Sequence, residues 1–413
     1  MILLAPYGSR GDVQPVAAIG RELARRGHDV LLCAPPDLAH IAETAGIPFT
    51  PVGPPQAHLF DGSQSNLSTF RAALRVAPEQ LEVLLPLARD ARVILGSALQ
   101  FAAPAIAERL GIPYVYVMLS PVHLRTPELS PMGAFRGRAG RTVHRVLLAI
   151  EDARHRRSAG WLHALRKEWN QPPIRSVERY ITRSGTVLLV SDPVLAPPPR
   201  EEPGVIQTGH VYLHVPATLP DDVEAFLRAG PPPVFVGFGS MRHRDGERLA
   251  NAVLEGVRLA GMRAIVHESI ARHATDPRAA GPDVLLCQDL PHAALFPRVA
   301  ACVHHGGYGT TIQAARAGVP QILVPHLGDQ FHHARRAAEL GIAAAPVSLK
   351  KATASDVARA LEFARRPATI AAAREFGVGL RAREGTGRAA DVVERLMAGE
   401  PLGRELLAPA TTG

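Results

Sequence analysis

The sequence predicts an α/β protein built from two Rossmann-like, doubly wound parallel-sheet domains, on three observations. The chain has 413 residues, more than one hydrophobic core sustains, and two domains of about 200 residues each are the natural division. Short apolar runs alternate with helical patterns and glycine stops, the rhythm of repeated strand–helix–strand units. A proline-dense stretch interrupts that rhythm, and the rhythm restarts behind it.

Taken in order, "MILLAPY" is a strand and "VQPVAAIGRELARRG" the helix after it. "HDVLLCAP", "PDLAHIAETAG" and "IPFTPVG" repeat the unit, and "ARVILGSA", "LQFAAPAIAERLG" and "IPYVYVML" extend the sheet. Proline then crowds "DPVLAPPPREEPGV" and "AGPPPVFVGFGSM", the composition of a linker. The second series runs "PVFVGFGS", "GERLANAVLEGVRLAG", "MRAIVHES", "PDVLLCQDL", "PHAALFPRV", "AACVHHGG", "TTIQAARAG" and "VPQILVPHL". A late helix, "GRAADVVERLMAG", is expected to pack across the hinge. The expected division is a first domain at 1–203, a linker at 204–218, a second domain at 219–384, and the helix and tail at 385–413. Two such halves imply a cleft between them.

Composition narrows the classes further. With 46% hydrophobic and 20% charged residues the chain is globular. No run of about 18 uncharged apolar residues is present to span a bilayer. The N-terminal apolar run is too short for a signal peptide and has no basic leader, so a cytoplasmic protein is expected. Cys33, Cys287 and Cys302 sit singly in apolar runs, without metal-ligand spacing, and are expected as small buried hydrophobes. The net charge of +8 is concentrated: between Arg136 and Arg183 twelve basic residues face four acidic ones, a surplus equal to that of the whole chain. The segment carries no recognisable nucleic-acid motif, so no nucleic-acid partner is expected. What remains is a solvated helical face, or a surface that meets an anionic membrane or an acidic acceptor.

The chemistry concentrates in "CVHHGGYGTT", where a strand runs into Gly306, Gly307 and Gly309 at the start of a helical pattern. The first amides of a helix lack partners and the macrodipole makes that end positive. Glycines let an anion approach the backbone, and threonine hydroxyls add donors, so the loop suits a phosphate. A tight strand–helix turn capped by Thr310 explains the same letters. A second loop, "GFGSM" from Gly237 to Met241, also ends a strand and opens a helix. Two such loops at the carboxyl ends of parallel strands fit a diphosphate, with His305 beside them as a further contact.

These residues carry a resemblance. The stretch "PHAALFPRVAACVHHGGYGTTIQAARAGVPQILVPHLGDQFHHARRAAELGI", with "GSRGDVQP" near the start and "GPPPVFVGFGSM" between, resembles the bacterial antibiotic and sterol glycosyltransferases, inverting enzymes of glycosyltransferase family 1 with the GT-B fold. The resemblance implies a donor diphosphate held by Ser240, His305, Gly307, Gly309 and Thr310, with the base against backbone near Leu290. It implies that Asp329 and Gln330 bind the donor sugar, and places Gln313 where plant members carry an acidic ribose contact. It makes Asp12 the general base, whereas the other explanation of Asp12 is a cap for a helix starting at Val13. The histidine–aspartate pair of plant relatives has no counterpart, since "VILGSALQF" offers no acid. No Asp-x-Asp is present, and neither a metal nor another cofactor is expected. His304, His305, His332 and His333 invite a metal, but their spacings define no ligand geometry.

The acceptor side belongs to "HLFDGSQSNLSTFRAALRV" and "SPVHLRTPELSPMGAFRGRAG". Phe60, Phe70 and Met132, with Arg10 from the first loop, are expected to meet a large, partly apolar aglycone such as a polyketide, macrolide, sterol or lipid. The expected donor is a UDP- or dTDP-sugar. Two other classes stay open at this stage: a sugar-nucleotide epimerase of the same fold, and a non-catalytic nucleotide-sugar-binding auxiliary protein.

Overall fold

The first apolar run forms β1 (Ile2–Tyr7), buried at every residue, which is the mark of a strand covered by helices on both faces. The computed structural model describes residues 1–56, 66–127, 129, 137–198, 204–214, 218–239, 246–275 and 283–402. These divide into two compact units. The described parts of Met1–Ser130, Ala134–Val215 and Arg383–Gly413 form the first, and those of Pro216–Ala382 the second.

In the first unit β1 is joined by β2 (Val30–Ala34), β3 (Phe49–Pro51), β4 (Val93–Ala98), β5 (Tyr114–Met118), β6 (Thr186–Leu189) and β7 (Val205–Gln207). The order is β3-β2-β1-β4-β5-β6-β7, parallel throughout. The chain therefore winds outward from β1 to β3, then reverses and continues from β4. That reversal opens a crevice at the carboxyl ends of β1 and β4, the usual ligand position in such sheets.

The helix expected from Val13 begins three residues earlier, as Arg10–Arg25, because Ser9 and Asp12 form a capping box ahead of the apolar face. That face, Val13, Val16, Ala17, Ile19 and Leu23, packs on the sheet in one core with Ile2, Leu4, Leu32 and Leu95. The last helix, Thr386–Ala398, closes this same core with Ala389, Ala390, Val392 and Val393. Arg26 fastens it by donating to Asp391 Oδ1 and Glu394 Oε2, both at 2.7 Å. Asp192, fully buried, receives Arg383 Nε at 2.8 Å and the amides of Val194 and Leu195.

The second unit repeats the plan with β8 (Val234–Gly237), β9 (Ala264–His267), β10 (Val284–Cys287), β11 (Ala301–His304) and β12 (Gln321–Leu323). The order is β10-β9-β8-β11-β12, again all parallel. Its switch point lies between β8 and β11, where His304 pairs with Gly237 at the strand ends. Val234, Val236, Val253, Val266, Val303 and Ile322 form the core beneath. Each such side chain, buried, contributes about 1.5–3 kcal/mol relative to exposure. The three cysteines are free and buried. Burial raises each thiol, to about 12 for Cys33, and for Cys287 to about 12 with help from the charge of Asp289.

Candidate active site

At the switch point of the first unit Tyr7 pairs with Ala98. Ser9 caps the first helix in an extended conformation (φ −74°, ψ 171°). Its amide and its hydroxyl both donate to Asp12 Oδ2 at 2.8 Å. Both bonds fall on one oxygen of the carboxylate. Ser97 of β4 donates its hydroxyl to the Asp12 carbonyl at 3.1 Å, tying the loop to the neighbouring strand. Gly8 is there for space: a methyl group would stand 2.5 Å from Asp12 Oδ2. Ala98, on the other side, has φ 51°, a conformation non-glycine residues seldom hold and one that gathers at functional sites. Tyr116 donates to Ala98 O at 3.3 Å, and its hydroxyl is raised above the usual phenol range by burial and by the charge of Asp12.

Arg10 is exposed at the start of this helix. Phe70, expected against the acceptor, is instead core. It is 5% exposed, set edge-on to Phe101 at 5.2 Å and stacked on His155 at 3.9 Å, because it falls on the inward face of its helix. Phe60 and Met132 lie outside the described residues.

In the second unit the opening of helix Tyr308–Ala317 is built by two histidines with separate duties. His304, the last residue of β11, is fully buried. Its Nδ1 accepts the Gly306 amide at 3.1 Å and its Nε2 faces Gln321 Oε1 at 2.9 Å. Burial first, and the neighbouring His305 second, lower its pKa to about 3, so the ring is neutral and shapes the turn. Gly306 then takes φ +84°, the left-handed region in which only glycine is at ease. The N-cap is Gly307, with Thr310 inside the first turn. The first intrahelical amide bond runs from Thr311 to Gly307 O at 3.0 Å, leaving the amides of Gly309 and Thr310 without partners inside the helix.

His305 lies over this opening. A methyl on Gly307 would meet its Nε2 at 2.4 Å, and one on Gly239 would meet its Cε1 at 3.5 Å. The imidazole thus stands between the loop after β11 and the loop after β8, next to a positive helix end. Ser240 follows Gly239 and lies outside the described residues.

Asp329 and Gln330 open helix Gln330–Glu339, with Asp329 as N-cap. The Gln330 side chain is buried, and its Oε1 accepts the amides of His326 at 2.8 Å and Leu327 at 3.1 Å, which leaves its NH2 group for other partners. His333 joins this pair to the glycine loop: Nδ1 donates to Gly306 O at 3.0 Å and Nε2 lies 3.9 Å from Asp329 Oδ2. The sequence offers His333 only as one of four histidines that invite a metal. Its place four residues after Asp329, on the same helix face, was the signal available.

Leu290, after β10, packs half-buried on the core of Phe235, Leu295 and Phe296. At the end of β9 Ser269 is bound to His267 Nδ1 by its hydroxyl at 2.7 Å and its amide at 3.1 Å. His267 Nε2 in turn meets Asp289 at 3.1 Å. Gln313 is half-buried on the helix after the glycine loop. The structure therefore gathers His305, Gly307, Gly309, Thr310, Asp329 and Gln330 around one loop system of the second unit, and Arg10 and Asp12 around the crevice of the first. Among the described residues no group of three or more His, Cys, Asp or Glu is placed to hold a metal ion.

Residues 2–126 match the glycosyltransferase family 28 N-terminal domain, and residues 251–396 match the Erythromycin biosynthesis protein CIII-like, C-terminal domain. The vancomycin aglycone glucosyltransferase of Amycolatopsis orientalis is 33% identical over 352 residues, covering 83% of this chain and 85% of that protein. A sterol 3-beta-glucosyltransferase of Aspergillus clavatus is 29% identical over 94% of this chain and 29% of its own length. Among solved structures, glycosyltransferase VinC in complex with dTDP superposes with a TM-score of 0.70 at 24% identity, over 97% of this chain and 100% of that one.

Proposed function

Since this chain belongs to the GT-B glycosyltransferases of the antibiotic and sterol branch, we propose that it moves a sugar from UDP or dTDP to a hydroxyl of a large, partly apolar natural product, sterol or lipid, with inversion at the anomeric carbon. The observation that carries this reading is His305 standing between two glycine loops at the β8/β11 switch point. There an imidazole and the amides of a helix N-terminus converge, as a leaving diphosphate requires. The names of the relatives, all transferases, leave the epimerase and non-catalytic alternatives without support.

In the proposed reaction Asp12 takes the acceptor's hydroxyl proton as the oxygen attacks the anomeric carbon. The bond from that carbon to the diphosphate breaks, and its electron pair leaves with the diphosphate. His305 and the amides of Gly307, Gly309 and Thr310 meet the charge that develops, a task for which these donors are already oriented. Asp329 accepts from the sugar's hydroxyls, and Gln330 donates to them through the NH2 group that its loop contacts do not use. Leu290 and Gln313 serve the base and the ribose. Fixed donors of this kind supply charge stabilisation without a metal ion, so transfer is proposed to be metal-independent.

Calorimetric titration with UDP and with dTDP in EDTA tests the reading. Binding of one nucleotide at micromolar or tighter Kd is expected, and it is lost or weakened at least about tenfold in His305→Ala, the scale of a charge-assisted hydrogen bond. Absence of binding by both nucleotides in EDTA, with binding restored by a divalent cation, overturns the metal-free arrangement.

A further inference from the structure

Helix Gly137–Ser158 has two contrasting sides. Inward, His144 and His155 are buried, Phe70 stacks on His155, and Arg125 donates to Glu151 Oε2 and Asp152 Oδ1 at 2.9 Å each. Ser176 adds a bond to Asp152 at 3.0 Å. Outward, Val143, Val146, Leu147 and Ile150 are 48%, 54%, 46% and 52% exposed. Their spacing of i, i+3, i+4 and i+7 makes one continuous apolar stripe. Eight large hydrophobics among the described residues are exposed, and half of them are these four. That concentration differs from the scattered single apolar residues of an ordinary surface.

The end of the stripe is positive. Arg154 and Arg157 continue its line beyond Ile150, at i+4 and i+7, and Arg138, Arg145 and Arg156 lie on the other exposed flank of the helix, about 130–150° around it from the stripe. All five are exposed, and none is ion-paired with another described residue. The helix's two acids, Glu151 and Asp152, are both engaged by Arg125. The exposed side therefore carries the apolar stripe with two arginines on its own line, and three more arginines on the far flank.

We propose that this face docks the protein onto an anionic lipid surface, the aliphatic stripe entering the boundary between headgroups and acyl chains and the arginines meeting lipid phosphates. Charge argues against a second copy of the chain, which would set the arginines of this helix against those of its copy. A folded acidic partner would have to supply a groove of matching length for the stripe, whereas a fluid headgroup layer takes it up without one. The helix lies along the surface, about 33 Å long for its 22 residues. No helix among the described residues is long and apolar enough to cross a membrane.

Vesicle flotation with the full chain tests this, using phosphatidylcholine alone and phosphatidylcholine with phosphatidylglycerol. The expected result is binding only to the anionic vesicles, weakened by salt. Binding drops at least about tenfold in Leu147→Ser/Ile150→Ser and in Arg154→Glu/Arg157→Glu, while nucleotide affinity stays at the parent value. The arginine pair, fully on the surface, keeps the test open if the apolar pair perturbs folding. Equal binding to both vesicle types, or anionic binding that neither variant reduces, overturns the proposal. So does a concentration-dependent dimer in light scattering that Leu147→Ser/Ile150→Ser breaks, or capture by polyglutamate without vesicle binding.

Discussion

In the proposed reaction Asp12 does two things with one side chain: one oxygen holds the first turn of its helix through Ser9, and the carboxylate takes the acceptor's proton. Replacing it with Asn keeps an oxygen for the cap and removes the base. Asp12→Asn is expected to lower kcat by about 10²–10⁴ while leaving nucleotide affinity unchanged. Steady-state kinetics beside a nucleotide titration checks this, and a kcat within a few-fold of the parent would move the proton acceptor elsewhere. In the second unit His333 donates to the Gly306 carbonyl and lies beside the carboxylate of Asp329, contacts that suit a positioning residue in the proposed reaction. The motif letters named Asp12, His305 and Asp329 because each sits at a strand end or helix start with a short local signature. They could not show that Gly8 clears room for a carboxylate or that Gln330 spends its oxygen on the loop, since both depend on side-chain directions that letters do not fix.

The strand β11 and its following turn are an element with a built-in acid sensitivity. His304 is neutral and fully buried, with its pKa lowered from 6.5 to about 3, chiefly by burial. A folded-state pKa below the unfolded one means that the unfolded chain binds the proton first. The stabilisation is complete above about pH 6.5 and is lost progressively as the pH falls toward 3. Near pH 5 the loss is of order 1–2 kcal/mol for this one group. His304→Gln is expected to lower stability at neutral pH yet flatten its dependence between about pH 6.5 and 5, as denaturant midpoints at each pH would reveal. An unchanged slope would assign the acid sensitivity to other groups, His332 first, whose pKa burial also lowers to about 3. The glycine loop was legible because strand, Gly-Gly and helix follow one another in sequence. Which of two adjacent histidines is structural was not legible, because β11 is buried at every residue and so carries no alternation to tell one face from the other. The same limit misplaced Phe70: an aromatic at the edge of a variable stretch reads as a pocket wall until the phase of its helix is known.

At the scale of the molecule the two sheets were legible as a repeated rhythm broken by proline, and the basic segment as a charge excess. The apolar stripe within that segment was not, because the arginines dominate the count and the stripe emerges only in helical projection. The first unit is discontinuous in sequence, its core completed by Ala389, Ala390, Val392 and Val393 and its buried Asp192 neutralised by Arg383. The second is continuous from residue 216 to 382. Residues 216–382 expressed alone are expected to unfold cooperatively. Residues 1–215 alone are not, since an unpaired buried carboxylate costs about 3–5 kcal/mol besides the missing apolar face. Adding 383–402 in trans should restore the transition, and calorimetry on the three samples decides. A cooperative transition in 1–215 alone would show the last helix to be dispensable.

The return of the last helix to the first sheet also sets an order of events during synthesis. A ribosome delivers residues 1–215 well before it makes the segment that completes their core, so the nascent amino-terminal half must wait, partly assembled, while the half behind it is translated and folds from contiguous chain. Emergence of the helix at 386–398, rather than of residues 1–215, then becomes the moment at which the first unit locks. A chain cut short in its final few dozen residues would retain every motif of both sites and still present itself to chaperones and proteases as unfinished.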